Sequence, residues 1–234
     1  MVDTAGAILA ILTRAPSSGG KSRLFEALGI LPDPELLRCL LLDTLDGATL
    51  PALRRVIAVT PGSACDEVRA IVSDATGPST SSPTLHVTSP DVMPQIDGDL
   101  GARMQAVMAT LFREEAQAVA LIGSDLPHIV PGTIAETFDV LARDRDALVL
   151  GPASDGGYYL IASRRMPDVF TGIEWGSDRV FASTIEAATI AGFRVHQLPV
   201  LTDVDTLDGL RAAVASGRAP RTASWARVNL DSRQ

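Results

Sequence analysis

Short apolar runs of strand length alternate with helix-length amphipathic segments along almost the whole chain. No other feature constrains the fold as tightly. The runs are AILAILT (7–13), RRVIAVT (54–60), TLHVT (84–88), QAVALIG (117–123), DALVLG (146–151), GYYLIA (157–162) and FRVHQLPV (193–200). Several are apolar at consecutive positions, so both faces of those strands must be covered, as in a parallel sheet with helices on either side. Between them PELLRCLLLDTL opens with Pro34, a favoured first-turn residue. TIAETFDVLARD sets Ile134, Phe138 and Leu141 on one stripe, and SDRVFASTIEAATIAG does the same with Phe181, Ile185 and Ala188 before Gly192 ends it. The expectation is an α/β fold: one Rossmann-like domain with a mixed, mainly parallel sheet and helices on both faces. SDATGPSTSSPT (73–84) reads as a surface loop. Residues 1–220 are assigned to the domain and 221–234, which show no clear periodicity, to a C-terminal tail.

In an open α/β sheet, ligands bind beyond the carboxyl ends of the strands. The segments there are RAPSSGGKSR, PGSACDE, SDLP, PASDGG and TDVDT, a concentration of Asp, Gly, Lys and Arg at one edge. It suits an anionic ligand held with a divalent cation. The chain as a whole carries a net charge of −8, which argues against a nucleic-acid coat or a polybasic membrane patch. A local cluster of cations still suffices for a small anion. Cys39, within LLRCLLLDTL, reads as a buried structural thiol, and the two cysteines and three histidines show no metal-ligand spacing. The first apolar run is too short to span a bilayer, and MVDTAG lacks a basic leader, so a soluble, cytoplasmic protein is expected.

SSGGKSRL (17–24) follows the first strand. Placed on the Walker A pattern G-x-x-x-x-G-K-[ST], the first glycine falls at Ala15, and Pro16 deletes an N–H beside it. A looser phosphate loop fits better. Gly19 and Gly20 let the backbone approach a diphosphate, Lys21 and Arg23 supply positive charge, with Arg14 just upstream, and the following helix adds its N-terminal dipole. In GDLGARM, Asp99 caps a helix whose Met104, Val107, Met108 and Leu111 form an apolar stripe; Gly98 and Gly101 are candidate pocket-lining glycines, and Arg103 a phosphate or acidic-substrate contact. Trp175 in EWGSDRV is a candidate wall of an acceptor site, with Asp178 as a base or sugar contact, or else Ser177 and Asp178 simply start the next helix.

The ordered motifs ILTRAPSSGGKSRLFEALG, DGDLGARM, LIGSDLP, GPASDGGYYLIA, EWGSDRV and LTDVDTLDGL resemble a bacterial family of GT-A-like glycosyltransferase-type proteins (DUF2064), some of them associated with arsenosugar biosynthesis. That family is related to nucleotidyltransferases of cofactor biosynthesis. The resemblance runs from about residue 7 to 215. It implies a GT-A sheet, a nucleotide or nucleotide-diphospho-sugar donor, a small-molecule acceptor, and Mg²⁺ or Mn²⁺. Lys21, Ser22 and Arg23 match the family's K-T-R-L, although the SSGG ahead of them is shorter than the family's loop and lacks its proline.

The resemblance also implies metal ligation by Asp125, at the end of an apolar strand, with Asp205 as first choice to complete the shell and Asp203 as second. No full D-x-D precedes Asp125, because position 123 is Gly. Asp203 and Thr206 have structural readings as well, Thr206 as the cap of LDGLRAAVA. Asp155, Gly156 and Gly157 would border donor or acceptor, or form a tight hairpin turn. Lys21 and Asp125 are the expected catalytic pair. Glycosyl transfer is the first expectation and nucleotidyl transfer to a small phosphorylated acceptor the alternative. A non-catalytic nucleotide-binding domain and a P-loop kinase follow, and homo-oligomer formation stays open.

Overall fold

The first apolar run becomes strand β1 (Ala7–Arg14), and its two-residue periodicity explains the layering around it. Leu9 and Ile11 face one hydrophobic cluster, while Ile8 and Ala10 face another. A strand that buries both faces needs a helix layer on each, and the chain supplies them by strand–helix alternation.

The computed structural model describes residues 4–75 and 88–230. In chain order, β1 is followed by α1 (Ser22–Leu28), α2 (Pro34–Gly47), β2 (Arg54–Thr60), α3 (Cys65–Ala75), β3 (Asp91–Pro94), α4 (Leu100–Arg113) and β4 (Ala118–Gly123). Then come α5 (Pro131–Arg143), β5 (Ala147–Pro152), β6 (Tyr158–Ser163), α6 (Val180–Ile190), β7 (Arg194–Gln197), α7 (Leu207–Ala215) and α8 (Pro220–Leu230). The seven strands form one sheet in the order β3-β2-β1-β4-β6-β5-β7. Only β6 runs antiparallel to its neighbours β4 and β5. The result is a single-domain α/β fold with a mixed, mostly parallel sheet, as the strand pattern implied.

Helices α2, α3 and α5 bury Leu41, Leu45, Val68, Val72, Ile134, Phe138 and Leu141 against one face of the sheet. Helix α4 covers the other with Met104, Val107, Met108 and Leu111, the expected stripe, joined by Ala188 of α6. Phe181 and Ile185 are only half-buried; Val180, Thr184 and Ala188 carry the inner side of α6. Cys39 is buried, as expected.

A third cluster lies off the sheet. Leu24 and Phe25 of α1, Leu36 and Leu40 of α2, Val204, Leu210 and Ala213 at α7, and Trp225 and Ala226 of α8 pack together. It decides the geometry of the site, because it seats two distant loops on one small core. It also corrects the C-terminal assignment. Residues 220–230 are not a loose tail but helix α8, docked on α2. The Thr222 N–H donates to Asp43 Oδ2 at 2.8 Å, and the Trp225 indole N–H donates to Asp33 Oδ2 at 2.6 Å. Those two carboxylates lie far away in sequence, which is why a local pattern does not reveal the helix.

Two other differences concern the second sheet edge. Most of the expected strand at 84–88 lies outside the described residues, as does most of the 73–84 loop, and the edge strand is instead β3. Helix α3 begins within PGSACDE, after a short 3₁₀ turn (Gly62–Ala64) that follows β2. No described helix is long and apolar enough to cross a membrane.

Candidate active site

A cavity of about 740 Å³ opens over the carboxyl ends of β1 and β4 and the amino end of the antiparallel β6, within the size range of small-molecule sites. Its acidic and basic groups come from loops far apart in sequence.

Asp125 sits two residues past β4. Its backbone is clamped on both sides. The Val204 N–H donates to its carbonyl at 3.0 Å, and the next residue, Leu126, donates its N–H to the buried Thr44 hydroxyl at 3.2 Å. Gly123 has a specific reason to be glycine. A Cβ there would lie 2.6 Å from Asp125 Oδ1. The space that the first residue of a D-x-D would occupy is filled by the Asp125 carboxylate folding back.

Asp203 and Asp205 flank Val204, which is fully buried in the third cluster. Burying that side chain is worth roughly 1.5–3 kcal/mol, enough to fix the segment so that its two neighbours project outward. Thr206 then caps α7 by accepting from the Gly209 N–H at 3.1 Å. Oxygens of Asp125, Asp203 and Asp205 all fall within 4.8 Å of one another.

Lys21 reaches this cluster from the other side. Its Nζ donates to Asp125 Oδ2 at 2.6 Å and also to Asp205 Oδ1. Gly19, Gly20 and Lys21 all take positive φ, and Lys21 is a left-handed residue without the freedom of glycine. Such a conformation costs on the order of 1 kcal/mol or more; the two carboxylates and the packing of Leu24 and Phe25 hold it in place. Helix α1 has only seven residues, so its dipole contributes little.

The P-loop alternative does not survive. Residues 16–18 form a short 3₁₀ turn, and the Ser17 N–H, which would face phosphate, donates to Glu67 Oε1 at 2.8 Å, with the Ser17 hydroxyl on the same carboxylate.

Charge in the cluster is unbalanced: three carboxylates meet one ammonium. Burial opposes the Lys21 charge, but Asp125 and Asp205 outweigh it and hold its pKa above the ordinary value. Burial likewise acts to raise Asp125, and Lys21 overcomes it to bring the net shift down. For Asp203 the pull of Lys21 is not enough. Burial first, then repulsion from Asp125 and Asp205, pushes it up to about 7. A converging set of carboxylate oxygens with an excess of negative charge suits a hard divalent cation such as Mg²⁺ or Mn²⁺.

The structure brings Arg14, Gly19, Gly20, Lys21, Ser22, Arg23, Arg103, Asp125, Asp155, Gly157, Trp175, Asp203 and Asp205 to the cavity wall. Gly98, Gly101, Gly156 and Asp178 are not part of that wall. Each has another task or place. Gly101 lies directly beneath the Trp175 indole, which a Cβ would strike. Gly156, at φ +91°, leaves no room for a Cβ beside the Asp178 backbone. Gly98 has φ +129° on the turn before Asp99, which caps α4 through the Ala102 N–H at 2.8 Å. The Asp155 side chain accepts from the Gly157 N–H at 2.9 Å, so SDGG is a tight turn joining β5 to β6 that also reaches the cavity.

Sequence reasoning missed Tyr158 and Gln95. Tyr158 meets Trp175 edge-on, ring centroids 6.3 Å apart, to form an aromatic wall. Tyr159 borders the cavity as well, although its hydroxyl is spent on the Pro199 carbonyl, to which it donates at 3.1 Å. Gln95 belongs to the unanticipated β3 edge and gave no local signal. None of the three histidines was assigned chemistry; His86 lies outside the described residues, and His128 and His196 are not in the cavity wall.

A family described as "Uncharacterized protein conserved in bacteria (DUF2064)" matches residues 48–177, more than half of the chain. The chain belongs to that family. The match spans Asp125, Asp155 and Trp175 of this DUF2064 protein, while the Lys21 loop and the Asp203–Asp205 pair lie outside it. Comparison with curated proteins returns no match. Among solved structures, the chain is similar to a "putative nucleotide-diphospho-sugar transferase" from Desulfovibrio desulfuricans G20, at 26% identity over 97% of each chain and a TM-score of 0.78. It shares its fold with a nucleotidyl transferase from Methanothermobacter, at 16% identity over 90% of this chain and 98% of the other, TM-score 0.59. A cytidylyltransferase from Leptospira borgpetersenii has the same fold at 12% identity, covering 96% of this chain and 94% of its own, TM-score 0.56.

Proposed function

We propose that this DUF2064 protein is a divalent-metal-dependent transferase that uses a nucleotide-activated donor, with glycosyl transfer from a nucleotide-diphospho-sugar as the leading reading. One observation carries it: Lys21, Asp125 and Asp205 meet at the carboxyl rim across 104 and 184 residues of chain. The similarity to the Desulfovibrio protein, described as a "putative nucleotide-diphospho-sugar transferase", supports the donor class.

Asp125 and Asp205, with Asp203, would hold the cation. When bound, Mg²⁺ or Mn²⁺ supplies charge compensation to diphosphate oxygens. Lys21 and Arg23 offer positive charge to the same phosphates, and Gly19 and Gly20 let the loop backbone approach them. Trp175 and Tyr158 give the cavity an apolar wall that orients a sugar or acceptor and limits water access.

A thermal-shift screen of nucleoside diphosphates, nucleotide sugars and nucleoside triphosphates, with and without Mn²⁺, tests the reading. A ligand at about a hundred times its dissociation constant stabilises the fold by about 2.7 kcal/mol. Products then separate the two transfer chemistries. Nucleoside diphosphate released from a nucleotide sugar marks glycosyl transfer, and pyrophosphate released from a triphosphate marks nucleotidyl transfer. Binding without any turnover would reduce the protein to a nucleotide-binding domain. No shift with any compound would sink the reading.

A further inference from the structure

Lys21 is matched by carboxylates, yet Arg14, Arg23 and Arg103 also line the cavity wall and, among the described residues, none of them has a carboxylate within ion-pair distance. In a chain with 28 acidic and 20 basic side chains, unpaired guanidinium groups grouped in a cleft are not a by-product of composition. Arg23 follows the phosphate loop by two residues and belongs with Lys21. Arg14 and Arg103 come from different elements, the end of β1 and the first turn of α4.

Arg103 is held, not loose. Its Nη1 donates to Gln95 Oε1 at 3.3 Å and its Nε to the Asp99 carbonyl at 3.3 Å. Gln95 is itself immobilised. It is buried, its backbone N–H donates to the Val59 carbonyl at 2.8 Å, and its amide nitrogen donates to the carbonyls of Ala58 at 2.6 Å and Thr13 at 3.2 Å. With both amide hydrogens spent on the ends of β1 and β2, only the side-chain oxygen can face Arg103. Gln95 therefore aims a guanidinium without neutralising it, which Glu at that position would do. Burial, and then the nearby Arg14 charge, lower the pKa of Arg103. Two like charges held together in a cleft are an arrangement that an anion relieves. Leu100 and Met104, on the same helix as Arg103, and Trp175 line the same cavity with apolar surface.

We propose that Arg14 and Arg103, in the same cavity as Lys21, Asp125 and Asp205, form a second anion subsite which takes a carboxylate or phosphate carried by the acceptor, with Gln95 as its positioning residue. The assignment to the acceptor rests on the transferase reading above; the subsite itself does not. It narrows the acceptor to an acidic small molecule with an apolar body, since guanidinium pairs bind such groups by two-pronged, charge-assisted hydrogen bonds.

The test uses the full chain without metal, titrated with inorganic phosphate and, in parallel, acetate, while the arginine Nε–H resonances are followed by NMR. Phosphate or acetate should perturb Arg14 and Arg103, and the tighter of the two names the group. Arg14→Met and Arg103→Met should each weaken that binding about tenfold, as expected for loss of a charge-assisted hydrogen bond. They should weaken the Mn²⁺–nucleoside diphosphate complex less. Gln95→Met should weaken phosphate binding in the wild type but add nothing in the Arg103→Met background, a non-additivity that general destabilisation would not give. If Gln95→Met fails to fold, the arginine variants still decide. The subsite is overturned if the anions move only Arg23, or if Arg103→Met harms the nucleoside diphosphate complex as much as the phosphate complex. Failure of the wild type to bind any nucleotide would remove the transferase reading, and the phosphate titration would still decide the subsite.

Discussion

Two of the three D-x-D sequences in this chain lie at opposite rims of the sheet, and they come to opposite ends; the third, Asp97–Gly98–Asp99, precedes α4. Asp144–Arg145–Asp146 leads into β5 at the amino rim, and Asp203–Val204–Asp205 precedes α7 at the carboxyl rim. At the amino rim, Arg194 binds Asp144 in a two-pronged pair, its Nε donating to Oδ2 at 2.8 Å and its Nη2 to Oδ1, and stands 3.6 Å from Asp146. His196 Nε2 lies 3.3 Å from Asp144 as well. Every acid there has a cation. At the carboxyl rim, the pair faces a third carboxylate, and one lysine pairs with only two of the three, Asp125 and Asp205. The same spacing of the same residue thus makes a finished ion pair in one place and part of an unbalanced acidic cluster in the other. Spacing of acids is no evidence of a metal site until the cations around it are known.

The sharpest way to break this contrast is one matched pair of substitutions. Asp125→Asn should abolish any Mn²⁺-dependent stabilisation by nucleotide, a loss of about 2.7 kcal/mol at saturating ligand. Asp146→Asn, equally conservative, should leave that stabilisation intact. Thermal shifts of the two variants with Mn²⁺ and a nucleotide sugar decide it. Equal behaviour of the two would mean that the rims do not differ in function.

How much of this was readable beforehand depends on where the information resides. Strand and helix periodicity is local, so β1, β2, α2, α4 and α7 were legible almost to their ends. The ends of strands are legible too, and so Lys21, Asp125, Asp203 and Asp205 could be collected as one candidate rim. What the chain does not display is pairing. Nothing near Asp144 announces Arg194, 50 residues on. Nothing in PRTASWARVNL announces that Asp33 and Asp43 will secure it as α8. Glycines mislead for a related reason. Gly101 and Gly156 resemble ligand-binding glycines, but each makes room for another part of the protein, the Trp175 indole and the Asp178 backbone.

A smaller effect separates the two pairs by their response to pH. The Asp203 pKa, raised to about 7 by burial and by its acidic neighbours, means that the metal-free folded state holds a proton that the unfolded chain releases near pH 4. The native state therefore loses stability as pH rises from about 4 to about 7. Asp203→Asn should remove that loss. In chelator-treated protein it should stabilise by about 1–2 kcal/mol at pH 8, after discounting for solvent screening, and by almost nothing at pH 4. Denaturant melts at the two pH values measure the difference. No gain at pH 8 would mean that the rim is not strained by its own charge.

The smallest effect belongs to the amino rim and has the opposite sign with pH. Arg194, by hydrogen bonding to Asp144, holds that carboxyl well below the usual carboxylate range. A depressed acid contributes stability that is present above its unfolded pKa and disappears as pH falls through the folded one. Arg194→Met should therefore lower stability slightly at neutral pH, and the difference from wild type should vanish in strong acid. Because Arg194 is exposed, high salt should also shrink the difference. The carboxyl-rim variant behaves in reverse, gaining where this one loses. Melting Arg194→Met and Asp203→Asn across the same pH series, with and without salt, puts the two D-x-D pairs side by side. If both variants shift stability in one direction, the amino rim is not the closed ion pair that its geometry describes.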